Sequence, residues 1–99
     1  MIIAIDYDGT YAAAPDLFDA IISLIKARGH TAVLVTGRSE EYGHEIKDVL
    51  NGVVPIVFAG MKWKRQAATE AGFKVDIWID DHPEYIDSQN TELSKYKHV

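Results

Sequence analysis

Short apolar runs alternate along this chain with longer stretches in which apolar and polar positions are mixed. The runs "MIIAI" (1–5), "TAVLV" (31–35), "VVPIVF" (53–58) and "VDIWI" (75–79) are rich in β-branched and aromatic residues and are bounded by turn formers. That is the pattern of strands buried on both faces. Between them the apolar positions recur at helical spacing. In "PDLFDAIISLIKARG" (15–29) the stripe is Leu17, Phe18, Ile21, Ile22, Leu24 and Ile25, with Pro15 and Asp16 suited to the start and Gly29 to the stop. The stretch "SEEYGHEIKDVLNG" (39–52) puts Tyr42, Ile46, Val49 and Leu50 on one stripe, with Ser39 as N-cap and Gly52 just past the end. A third helix is expected from Trp63 to Ala71, closed by Gly72, and the polar tail from Ser88 to Val99 reads as a short helix or a frayed end.

Strands that alternate with helices predict an α/β fold: a parallel sheet of four strands with helices on both faces, joined by right-handed crossovers. Pro55 has no N–H to give to a ladder, which puts the third strand at an edge. With 99 residues the chain is expected to form one domain over 1–99, because chains of this size do not divide into two cores. Hydrophobic residues at 47% and charged residues at 25% are ordinary for globular proteins and argue against disordered, collagen-like and membrane classes. A formal net charge of −5 disfavours loose adhesion to nucleic acid or to an anionic membrane. A specific anionic substrate stays open, given a metal. The absence of cysteine removes disulfides, thiol catalysis and Cys-ligated metals together. "MIIAI" is too short for a signal segment, and no apolar run approaches the roughly 18 residues of a membrane span, so a cytoplasmic location is expected.

The polar residues gather where chemistry in such folds is found. Ligands of open α/β sheets bind beyond the carboxyl ends of the strands, and three predicted strands end in polar clusters: Asp6 and Asp8, then Thr36-Gly37-Arg38, then Asp80-Asp81. Carboxylates drawn together in a sheet crevice repel one another and lose hydration, unless a hard cation neutralises them; oxygen ligands of this kind suit Mg²⁺. Mg²⁺ takes one or two carboxylates and keeps waters, so some acids remain for other work. Asp6, at the strand terminus, is placed to attack phosphorus as a nucleophile. Asp8 points to the same side if the backbone stays extended, where it would protonate a leaving group and later activate water. Gly9 allows a sharp turn there.

These residues resemble the motifs of the haloacid dehalogenase (HAD) superfamily of phosphohydrolases over nearly the whole length. The family's Asp-x-Asp with Gly-Thr stands here as Asp6-Tyr7-Asp8-Gly9-Thr10; its Thr after an apolar strand is Thr36 in "VLVTGR"; its Lys is Lys62 or Lys64 in "GMKWKRQAA"; its acidic pair is Asp80 and Asp81 in "IWIDDHP". The resemblance implies a minimal Rossmann-like, three-layer fold with strand order 3-2-1-4. It implies a phosphomonoesterase working through an aspartyl-phosphate, with Asp6 as nucleophile and Asp8 as general acid/base. Thr36, with Gly37 beside it, and one of the two lysines would bind phosphate oxygens. Mg²⁺ would be held by the Asp6 carboxylate, the Asp8 backbone carbonyl and one or both of Asp80 and Asp81. Lys64 directly precedes a helical stretch and is the preferred lysine. The family's cap insertions are missing: only a few residues separate Thr10 from the first helix, and 50–61 hold a strand and little more. A site without a lid would be open to bulky phosphorylated substrates, or be closed by a second copy of the chain in a homo-oligomer. The substrate class stays open between a nucleotide, a sugar phosphate and a polynucleotide end.

Each motif also has a plain structural reading: a turn for Asp8-Gly9, a helix start for Thr36-Gly37 and for the lysines, a loop with an N-cap for Asp80-Asp81-His82-Pro83. His30, His44, His82 and His98 lack paired metal spacing and read as surface residues. Arg38 reads equally as a distal-phosphate contact or a surface cation. Trp78 is expected to pack, Trp63 to pack or line the crevice, and Tyr7 to turn away from the acids into a helix–sheet layer. Three rival functions compete with this reading. A phosphoacceptor receiver domain uses similar groups but would need an acceptor Asp after the third strand, where "VVPIVFAGM" has none. A non-catalytic relative that binds a metal or a partner would keep the same acids. A dinucleotide-binding module is disfavoured, because no Gly-x-Gly-x-x-Gly follows any strand.

Overall fold

The computed structural model describes residues 1–87. It contains strands β1 (Ile2–Ile5), β2 (Thr31–Thr36), β3 (Ile56–Phe58) and β4 (Ile77–Ile79), and helices α1 (Pro15–Ala27), α2 (His44–Leu50) and α3 (Lys64–Glu70). Short 3₁₀ turns cover Tyr11–Ala13, Glu40–Tyr42 and Pro83–Tyr85. The four strands form one parallel sheet in the order β3-β2-β1-β4, the expected architecture. The expectation for the tail, Ser88 to Val99, and for His98 lies outside the described residues. Among the described residues no helix is long and apolar enough to cross a membrane.

The two-residue period of a strand sends alternate side chains to opposite faces, and both faces are covered. Ile5 and Leu34, paired across β1 and β2, pack with Tyr11, Ile22, Ile25, Ile46 and Leu50, so α1 and α2 lie on one side. Ala4, Val33, Val35 and Val57 pack with Ala67, Ala68 and Val75, so α3 lies on the other. Small alanines on α3 bring that helix close to the sheet. Tyr7 turns into the first layer as expected and stacks on Tyr11, with ring centroids 5.8 Å apart. Trp78 packs in the second layer beneath Arg65, its buried Nε1 unpaired among the described residues.

Four expectations need correction. The helix expected over 39–52 begins only at His44: Ser39 makes no capping bond, Glu40–Tyr42 is a 3₁₀ turn, and the chain passes at Gly43 so close to the Phe58 ring that a Cβ there would overlap it. Of its expected stripe, Ile46 and Leu50 are buried while Tyr42 and Val49 face solvent. The third strand is shorter than 53–58. Val53 and Val54 precede it, and Pro55 serves the ladder only as an acceptor, its carbonyl taking the Leu34 N–H at 2.9 Å. That acceptor role suits the edge position assigned to it. The fourth strand likewise begins at Ile77, because Asp76 turns its carboxylate onto the Ile2 N–H at 2.7 Å. The α1 stripe is wider than its contact surface, since Leu17 and Leu24 are exposed.

Buried and exposed leucines should therefore part company in stability. Leu34→Ala, at a site with no solvent exposure, is expected to cost roughly 2–5 kcal/mol, and Leu24→Ala no more than about 0.5 kcal/mol, in urea unfolding.

Candidate functional site

β1 and β4 are neighbours, and their pairing runs one residue past β1: the Asp6 N–H donates to the Ile79 carbonyl at 3.0 Å. That bond sets Asp6 beside Asp80 and Asp81 at the carboxyl rim of the sheet. Oxygens of Asp6, Asp80 and Asp81 all lie within 4.8 Å of one another. Lys64, the first residue of α3, reaches into the group and donates to Asp6 Oδ1 at 2.7 Å and to Asp80 Oδ2 at 2.6 Å. All three partners are buried, the Lys64 side chain to within 5% of complete enclosure. The Thr10 hydroxyl lies 3.2 Å from Asp6 Oδ2 and from Asp81 Oδ1, so its single proton serves one carboxylate at a time, and it accepts the Asp81 N–H at 3.3 Å.

Two glycines admit this crowding. Gly9 has φ +80°, and a Cβ there would overlap the Asp81 carboxylate. Gly37, after β2, leaves its space to the Lys64 stem, whose Cε would lie 3.9 Å from an added Cβ.

Asp8 does not join the other acids. The backbone leaves the extended form after Asp6, residues 7–10 form a turn, and the exposed Asp8 carboxylate receives both arms of Arg38, Nε at 2.8 Å and Nη2 at 2.6 Å. The same guanidinium donates to Glu45 Oε1 at 2.7 Å and to the Tyr42 carbonyl at 3.0 Å, and it sits over the Tyr7 ring. Arg38 is thus neither a loose surface cation nor part of the acid cluster. Thr36 is fully buried, and its hydroxyl accepts the Arg38 N–H at 3.2 Å. Of the two candidate lysines, Lys64 sits in the cluster, whereas Lys62 pairs with Glu70 at the cavity rim. His30, His44 and His82 are exposed as expected. His82 lies nearest the acids: its N–H donates to Asp80 Oδ1 at 2.9 Å and its ring lies against Glu84.

The electrostatics follow from counting. Three carboxylates and one ammonium leave a net charge of −2, with the Asp6, Asp80 and Lys64 side chains buried and Asp81 at the exposed edge. Burial pushes the Asp6 carboxyl up to about 6; Lys64 opposes this, and hydrogen bonding with Asp81 adds to it. Asp81 moves the opposite way, held down chiefly by the hydrogen bond from Asp6. Burial alone would lower the Lys64 ammonium, but its hydrogen bonds to Asp6 and Asp80 outweigh that and keep it charged. The residual charge calls for either a proton on Asp6 or a divalent cation. An all-oxygen donor set suits a hard ion such as Mg²⁺, so the residues present fit the metal that the sequence motifs imply.

Comparison with family models, with curated proteins and with solved structures found no match to this chain. The site therefore stands on its own geometry. Reading the residues missed Thr10 as the hydroxyl between Asp6 and Asp81, although its place in "DGT", four residues after Asp6, was a usable signal. Glu45, which completes the clasp on Arg38, had none.

The raised Asp6 carboxyl sets a pH dependence. An acid whose folded pKa lies above its unfolded value lends stability that is complete below the unfolded value of 3.8 and is lost as pH rises through about 6. In EDTA, the melting temperature of wild type is expected to carry a decline between about pH 4 and 6 that Asp6→Asn lacks. Saturating Mg²⁺ at pH 7 should raise the melting temperature of wild type and leave Asp6→Asn unmoved. Equal Mg²⁺ responses in the two proteins would contradict this assignment.

Proposed function

We propose that this chain is a Mg²⁺-dependent phosphomonoester hydrolase of the HAD type, acting through an aspartyl-phosphate on Asp6. The observation that carries the reading is the meeting of Asp6, Asp80 and Asp81 around the buried Lys64 at the carboxyl rim of the sheet. Phosphoryl transfer asks for alignment and for neutralisation of the charge on three equatorial oxygens, which Lys64 and a cation held by the acids would supply. The cation would be held by Asp6, the Asp8 backbone carbonyl and the Asp80-Asp81 pair. It would neutralise the phosphoryl charge and leave Asp6 ionised.

In this reading an Asp6 oxygen attacks phosphorus, the ester P–O bond breaks, and Asp8 gives its proton to the departing oxygen. Asp8 then takes a proton from the water that attacks the phosphorus of the acyl phosphate, which frees inorganic phosphate and the Asp6 carboxylate. Lys64 neutralises one phosphoryl oxygen, and the exposed backbone at Gly37 lines the same cavity. Asp8 can act as an acid only after Arg38 releases it. A phosphoryl dianion competes for the guanidinium with the same two-pronged geometry, so substrate would free Asp8 by taking its partner.

A second reading, a metal-binding protein without catalysis, is favoured by the same Arg38–Asp8 clasp and by the inward Thr36 hydroxyl. Turnover of a panel of phosphate esters, with Mg²⁺ and with EDTA, separates the two. The hydrolase reading expects Mg²⁺-dependent release of phosphate from at least one ester class, abolished in Asp6→Asn and lowered about 10²- to 10⁴-fold in kcat by Asp8→Asn. Release that is equal in wild type and Asp6→Asn, or no release from any ester, would sink it.

A further inference from the structure

The cavity above the acids is larger than one phosphoryl group needs, and its mouth is apolar. Its volume of about 550 Å³ falls within the roughly 300–1,000 Å³ of small-molecule sites. Asp6, Gly37, Lys64 and Asp80 line it, and so do Met61, Trp63 and Tyr85. Those last three are 103%, 43% and 56% exposed and belong to neither core layer.

The placement of Trp63 has no explanation within the fold. It occupies the N-cap of α3, where Ser, Thr, Asp or Asn would accept a backbone N–H, and it makes no such bond. It directly precedes Lys64, so the residue that anchors α3 in the acid cluster also fixes a large ring beside the phosphate position. Tyr85 arrives from a different element, the 3₁₀ turn that follows Asp80-Asp81, and its ring lies 5.7 Å from that of His82. The helix that supplies Lys64 and the turn that follows Asp80-Asp81 thus each bring an aromatic ring to the same cavity. Lys62 and Arg38 also stand on the rim, each paired with carboxylates, Lys62 with Glu70 and Arg38 with Asp8 and Glu45.

We propose that this mouth is a leaving-group subsite for a planar ring: the substrate is a phosphomonoester carrying an aromatic or heteroaromatic ring within short reach of phosphorus, as in an aryl phosphate or a nucleoside monophosphate. The ring stacks on Trp63, with Tyr85 and Met61 completing the apolar wall. Placing the phosphoryl group on the cluster rests on the hydrolase reading above. Base–aromatic stacking of this kind is sequence-tolerant and is worth about tenfold or more in affinity per ring.

The test uses phosphonates, whose P–C bond resists hydrolysis, so that binding is read apart from turnover. Phenylphosphonate, butylphosphonate and the phosphonate analogue of adenosine 5′-monophosphate are titrated calorimetrically into the protein with Mg²⁺. At least one ring-bearing compound is expected to bind about tenfold or more tightly than butylphosphonate. Whichever ring compound binds better tells a directly attached ring from one spaced by a sugar. Trp63→Ala should erase the preference while leaving butylphosphonate affinity within about twofold, and Trp63→Phe should keep most of it. A melting curve for each variant confirms that the exposed side chain is dispensable for folding. Equal affinities in wild type, a ring preference that survives Trp63→Ala, or no phosphonate binding at all would overturn the subsite. If the ring preference is present and no phosphate ester of the panel, phenyl phosphate and adenosine 5′-monophosphate included, is turned over, the hydrolase reading fails and the subsite stands. If esters are hydrolysed without ring preference, the subsite alone fails.

Discussion

One buried ammonium shared by two carboxylates, with a third carboxylate at its edge, is the constraint around which the described residues are arranged. Lys64 holds Asp6 and Asp80 at hydrogen-bond distance inside the protein, where removing one partner of an ion pair leaves an uncompensated charge. The ammonium satisfies two of the three acids and leaves the group negative. Stability and chemistry meet there, because the groups that burden the cation-free fold are those that a hard cation would bind. A protein selected only for stability would gain by replacing this cluster with apolar side chains of similar volume.

The sheet topology is what makes the cluster possible. Only with β1 and β4 adjacent can Asp6 donate its N–H to Ile79 and lie beside Asp80. Parallel strands end at one rim, so residues 74 positions apart along the chain arrive together. Packing then fixes the remaining member. Ala67 and Ala68 seat α3 closely on the sheet face, which points its first residue, Lys64, over the strand ends. Gly9 gives up its side chain so that Asp81 can close against the turn.

Much of this was legible in the residues, for physical reasons that can be named. The strands are legible because a sheet covered on both faces demands unbroken apolar runs such as "TAVLV". Strand ends then mark where polar groups collect, which located Asp6 and the Asp80-Asp81 pair, while Lys64 came from the resemblance to the HAD motifs. Other features depend on long-range contacts that no local pattern encodes. The late start of α2 comes from the Phe58 ring pressed against Gly43, a contact between α2's N-terminus and β3. The turning away of Asp8 comes from Arg38, which is itself steadied by Glu45 from the following helix. An extended backbone past Asp6 was the natural expectation from strand geometry, and a turn replaced it.

The central claim is that Asp6 and Asp81 belong to a single divalent-cation site. Isothermal titration of Mg²⁺ into the protein at neutral pH tests it most directly, run beside Asp6→Asn and Asp81→Asn. The account predicts saturable binding of one ion per chain in wild type and its loss or severe weakening in both variants. Saturable binding that persists unchanged in both, or no binding in wild type, would contradict it.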